Sequence, residues 1–128
     1  MNIVITGASS GIGRETAIRL SGEPGNRIYA IARNRKSLTT LSGAAGHKNI
    51  IPVPMDITSG RSSFSELKNR LEKEAGRVDI LINNAGHLVN KPFEDYTEAD
   101  IAESVSVNFT SAARLTAELL PLMVRGSH

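Results

Sequence analysis

Ile3-Val4-Ile5-Thr6-Gly7-Ala8-Ser9-Ser10-Gly11-Ile12-Gly13 is the stretch on which the fold turns. Four residues of strand-forming character run straight into glycines at 7, 11 and 13, and helical spacing begins near Ile12 and continues through Ala17, Ile18 and Leu20. A strand, a glycine-rich turn and a helix in direct succession is the setting in which glycines build a phosphate site. Each glycine has its own reason. Gly7 allows a tight turn off the strand, Gly11 lets backbone approach a ligand, and Gly13 lets the helix pack closely on the sheet. Unpaired N–H groups at the helix start, reinforced by the helix dipole, favour an anion there. Ser9 and Ser10 add hydroxyl donors at the same place. A Gly/Ser-rich surface loop is the plainer reading, and the position between strand and helix argues against it.

The remaining composition sets limits. A chain of 128 residues is one domain, and 40% hydrophobic with 22% charged residues suits a globular protein. A net charge of +2 is small, and Lys and Arg are interleaved with Asp and Glu, which argues against a nucleic-acid partner. The absence of Trp also speaks against a stacking platform for single strands. With no cysteine there are neither disulfides nor thiolate metal sites, and no metal-ligand spacing is present. No run approaches eighteen apolar residues and no signal pattern opens the chain, so the expectation is a cytoplasmic protein without a membrane partner.

Short apolar runs alternate with helical spacing, the pattern of βαβ units around a parallel sheet. Strands are expected at 2–6, 27–32, 50–55 and 78–82, and helices at 12–21, 35–44, 64–75 and from 98 to 120 or beyond. Pro52 and Pro54, two apart, place their missing N–H groups on one side of the third strand, which makes that strand a sheet edge. Ser63 with Glu66 and Thr97 with Asp100 each have the spacing of a capping box. The fourth strand, Val78-Asp79-Ile80-Leu81-Ile82, is apolar enough to expect cover on both faces.

The last helix carries an anomaly. Its apolar stripe passes through Ile101, Val105, position 108, Ala112, Leu115 and Leu119, and position 108 is Asn. A polar amide on a core-facing stripe needs partners or costs about 1–3 kcal/mol. Either it is tied to nearby backbone or it is aimed at a ligand crevice.

Taken together, Thr6-Gly7-x-x-x-Gly11-x-Gly13, Asp56 after the third strand, Asn83-Asn84-Ala85-Gly86 after the fourth and Asn108 in the last helix resemble the short-chain dehydrogenase/reductase family. The resemblance runs through essentially the whole chain. It implies a partial doubly wound, Rossmann-type α/β fold with strand order 3-2-1-4, helices on both faces and NAD or NADP as cofactor. The chemistry it implies is hydride transfer to or from the carbonyl or alcohol carbon of a small molecule. By position, Gly7, Ser9, Ser10, Gly11, Ile12 and Gly13 would wrap the diphosphate and adjoining ribose. Asp56 and Ile57 would meet adenine, with a turn cap as the alternative for Asp56. Asn84, Ala85 and Gly86 would lie near the nicotinamide ribose, and Asn83 would lock the strand end. Asn108 would hold a water of the proton relay. A homo-oligomer is implied as well.

Charge bears on the cofactor. An acidic residue is expected about 20 residues beyond the glycine motif in NAD binders. Counting on from Gly13 reaches Arg33, whose guanidinium suits a 2′-phosphate that a carboxylate would repel. NADP(H) is therefore expected over NAD(H). NAD(H) stays open, because Ser10 stands where many NADP-binding relatives carry a second basic residue.

The family places a catalytic Ser on a fifth strand and a Tyr-x-x-x-Lys on the helix after it; this sequence stops at His128. Tyr29 and Tyr96 are followed four residues later by Arg33 and Asp100, so neither matches the motif. His47, His87 and His128 are isolated. The expectation is the cofactor-binding part of an oxidoreductase, inactive alone, with residues 126–128 possible remnants of a tag. A non-catalytic nucleotide-binding or association module is the alternative. With the third strand at one edge, the fourth would carry the other edge uncovered.

Overall fold

The computed structural model describes residues 1–43, 46 and 48–123. The elements run β1 (Asn2–Thr6), α1 (Gly11–Ser21), β2 (Arg27–Ala32), α2 (Arg35–Gly43), β3 (Ile50–Pro54), α3 (Arg61–Glu74), β4 (Ile80–Ile82), α4 (Glu98–Val105) and α5 (Ser111–Met123). A 3-10 turn at Phe93–Asp95 precedes α4, and a π turn at Ser106–Thr110 joins α4 to α5. Residue 44 of the expected second helix, His47, and the tail with residues 126–128 lie outside the described residues.

The four strands form one parallel sheet in the order β3-β2-β1-β4. Period-two alternation splits the core between its faces. Ile3, Ile5, Ile28 and Ala30 pack with Ala17 of α1 and Leu38 and Leu41 of α2. Val4, Tyr29, Ile31 and Val53 pack with Phe64, Leu67 and Leu71 of α3 and Leu115, Leu119 and Leu122 of α5. Helices thus cover both faces, as a doubly wound sheet requires.

β3 is an edge, paired with β2 alone. The Met55 N–H reaches Ala32 O at 2.9 Å, so by alternation Pro52 and Pro54 turn their missing donors outward.

Three local expectations need correction. Ser63 does not cap α3. Gly60, at φ +100°, leads the chain in, and Ser63 is the third helical residue, its hydroxyl accepting from the Ser59 hydroxyl at 2.9 Å. β4 begins at Ile80, because the Val78 N–H turns away to Leu122 O at 3.2 Å. Its three residues are half-buried rather than covered on both faces, and among the described residues no strand pairs beyond β4. The stripe of the last helix also breaks. Ile101 and Val105 are about half exposed while Leu115, Leu119 and Leu122 are buried. α4 buries no residue, so the part of the stripe ahead of the π turn is left partly in solvent. Thr97 and Asp100, by contrast, form the capping box their spacing predicts.

Candidate functional site

The carboxyl ends of β1 and β4 are fastened together by side chains. The Thr6 hydroxyl, 3% exposed, accepts from the N–H groups of Asn84 and Ala85, both at 3.0 Å. The Asn84 amide donates back to Thr6 O at 3.0 Å and Gly7 O at 3.3 Å. Asn84 is therefore the residue that locks this strand end; Asn83, exposed, donates instead to the Thr116 hydroxyl at 3.0 Å.

This fastening explains the glycines. Gly7 has φ +67°, and a Cβ there would sit 2.8 Å from Ala85 Cα. A Cβ on Gly13 would lie 2.5 Å from Gly7 O and closer still to the Asn84 amide. Gly11 differs: its φ is +54°, yet a Cβ would meet nothing within 4 Å. Two glycines are needed for close packing, and Gly11 is needed for backbone conformation beside open space.

That space is a cleft of about 750 Å³ over the carboxyl ends of the strands. Of the sequence-derived site residues, Gly7, Ser9, Ser10, Gly11, Ile12, Arg33, Asp56, Ile57, Asn84, Ala85 and Gly86 line it. Gly13 and Asn108 do not. Gly13 is buried behind the turn. Asn108 has both ends of its amide engaged by one residue, Oδ1 accepting from His87 N–H at 2.7 Å and Nδ2 donating to His87 O at 2.8 Å. Its amide is thus tied to backbone rather than aimed into the crevice. The π turn carries Asn108, and at its end the Ser111 N–H and hydroxyl both reach Ser106 O.

The cleft wall is open to a ligand at specific groups. The first intrahelical bond of α1 runs from Arg14 N–H to Ser10 O at 3.2 Å, so the N–H groups of Gly11 and Ile12, which line the cleft, have no acceptor in the helix. Ser10 is the N-cap residue but its hydroxyl makes no cap bond. Ile12 is 80% exposed, apolar surface that a ligand would cover. Among the described residues Arg33 has no hydrogen bond or ion pair. Asp56 Oδ1 accepts from the Thr58 N–H at 2.8 Å and hydroxyl at 2.7 Å. Those bonds, the backbone one foremost, hold its carboxyl below the usual range, and Arg33 adds to the effect. The turn-cap reading of Asp56 is thus realised, and Oδ2 has no described partner.

Met55, Thr58, His87, Glu103, Ser106 and Val107 also line the cleft. Glu103, Ser106 and Val107 share the i, i+3, i+4 spacing of one helix face, the signal by which sequence could have found them. The described residues hold no group of three or more His, Asp or Glu fit for a metal, and no helix among them is long and apolar enough to cross a membrane.

The family profile described as short chain dehydrogenase matches residues 1–128. An uncharacterized short-chain type dehydrogenase/reductase of Sinorhizobium fredii is 36% identical over 122 residues, covering 94% of this chain and 45% of that protein. Retinol dehydrogenase 8 of Bos taurus is 33% identical over 128 residues, covering 96% of this chain and 40% of the relative. The chain therefore spans less than half the length of these two relatives. A short-chain dehydrogenase from Streptomyces avermitilis superposes with a TM-score of 0.88 at 33% identity, over 98% of this chain and 46% of that one. A family model matching the whole chain and relatives above 30% identity show that the chain belongs to one family: the short-chain dehydrogenases.

Proposed function

We propose that this chain is the cofactor-binding part of an NADP(H)-dependent oxidoreductase that moves hydride between nicotinamide and the carbonyl or secondary alcohol of a small molecule. The observation that carries the reading is a single cleft joining the open N-terminus of α1 to the unpaired guanidinium of Arg33. A diphosphate fits the N–H groups at Gly11 and Ile12, with the Ser9 and Ser10 hydroxyls beside it. Arg33 suits the 2′-phosphate of the adenosine ribose. The free oxygen of Asp56 can accept from the adenine amine, and Ala85 and Gly86 border the far ribose. The nicotinamide supplies the hydride when bound.

Asn108 sets the backbone of His87, and through that loop we assign it a positioning part in the relay that the family resemblance implies. Among the described residues neither tyrosine is placed to deliver a proton to the cleft. Tyr29 is buried in the core, and the Tyr96 hydroxyl donates to Val89 O at 2.8 Å. We therefore expect residues 1–128 alone to bind nucleotide without turning over a carbonyl substrate.

Calorimetric titration separates the possibilities. NADP+ should bind about tenfold or more tightly than NAD+, the order of one charge-assisted hydrogen-bond pair, and Arg33→Ala should abolish the difference. Equal affinities for the two nucleotides, unchanged by Arg33→Ala, contradict the assignment.

A further inference from the structure

The cleft is electrically asymmetric along its length. Arg33 follows β2 and His87 follows β4, with β1 and its Gly7 turn between them, so they stand two strand spacings apart, about 10 Å. Glu103 of α4 lines the His87 end. Its described partner is His87, with Nε2 and Oε2 3.8 Å apart, too long for a hydrogen bond. Lys91, on the loop that follows β4, is paired with Asp100 at 2.6 Å. At the other end, Asp56 sits beside Arg33 with one oxygen spent on Thr58. One end thus presents a guanidinium with no hydrogen bond, near the Asp56 carboxylate, and the other a carboxylate without a hydrogen-bonded counterion.

We propose that Glu103 is a charge-selecting residue that favours the oxidised over the reduced nicotinamide of a bound cofactor. This rests on the nucleotide reading above. With the 2′-phosphate at Arg33, the nicotinamide end reaches the side of the cleft that Glu103 lines. The oxidised ring carries one formal positive charge that the reduced ring lacks, and the rest of the two molecules is the same. The difference between their affinities therefore reports the potential at the ring. Glu103 is 56% exposed, so solvent screening holds the effect to about threefold. The same polarity orients the ligand, because reversing it would set a 2′-phosphate against Glu103.

The test is calorimetry with NADP+, NADPH and 2′,5′-ADP, the last carrying only the adenosine end. Glu103→Gln should weaken NADP+ about threefold relative to NADPH and leave 2′,5′-ADP unchanged. Glu103→Asp, which keeps the charge, should retain the wild-type preference, with thermal unfolding confirming that each variant is folded. An unchanged NADP+/NADPH ratio in Glu103→Gln, with 2′,5′-ADP still bound, overturns this inference alone. If the unmodified chain binds none of the three, the nucleotide reading falls and takes this inference with it.

Discussion

Gly13 shows how far one missing methyl group reaches. Replacing a glycine inside a helix by alanine ordinarily stabilises by about 0.5–1 kcal/mol. Here the added Cβ would press on Gly7 O at 2.5 Å and on the Asn84 amide, the group that ties β4 to β1. Gly13→Ala should therefore destabilise by about 1–3 kcal/mol in denaturant unfolding, the cost of overpacking. A neutral or stabilising result would mean that the turn can shift. Thr6 makes a companion case, since its hydroxyl accepts from two backbone N–H groups. Thr6→Val keeps the shape and strands both donors, so a loss of about 2–3 kcal/mol is expected by the same measurement. The glycines are legible in the sequence because no other residue tolerates their geometry. Thr6 as a hub is not, because its partners lie 78 and 79 residues away. The exchange of roles between Asn83 and Asn84 has the same origin: adjacent amides look alike until strand pairing decides which one faces β1.

Among the elements, those set by local chemistry were the readable ones. β1 and β2 match their expected bounds, and the outward prolines of β3 mark an edge that, among the described residues, pairs with β2 alone. The Thr97–Asp100 cap forms, whereas Ser63 loses its capping place because Gly60 starts α3 earlier. The π turn has no signature in residue periodicity, and neither does the fact that α4, which carries Ile101 and Val105, buries no residue. The cap also carries a pH dependence. The carboxyl of Asp100 is held far below the usual range by Lys91 first and then by Thr97, and that of Asp56 is lowered by Thr58. A depressed folded pKa means that the unfolded chain binds more protons on acidification. Stability from these groups is therefore full above the ordinary carboxylate range, about pH 4, and drains away as pH falls below it. Thermal unfolding between pH 6 and 3 should show this decline, and Asp100→Asn should flatten it. An identical pH profile in the variant would remove Asp100 from the account.

The molecule as a whole leaves apolar surface uncovered. Among the described residues β4 has an unpaired edge, and Ile101, Val105, Phe109 and Leu120 are each at least 47% exposed along α4, the π turn and α5. Exposed strand edges and apolar patches promote association. Sedimentation velocity at rising concentration should therefore show species heavier than the 13.7 kDa chain, and Phe109→Lys with Val105→Lys should reduce them. A monomer at every concentration would contradict that expectation. The same architecture sets β1 and the α1 N-terminus at the centre of the sheet, with Arg33 to one side and His87 and Glu103 to the other. A dinucleotide lying across that centre would span both sides. Titrating the isotope-labelled chain with NADP+ and following its backbone amides by NMR tests this most directly. The largest shifts should fall on Gly11, Ile12, Arg33 and Ala85, with β3's outer edge silent. Saturable binding whose shifts avoid the glycine turn, or no binding at all, would contradict it.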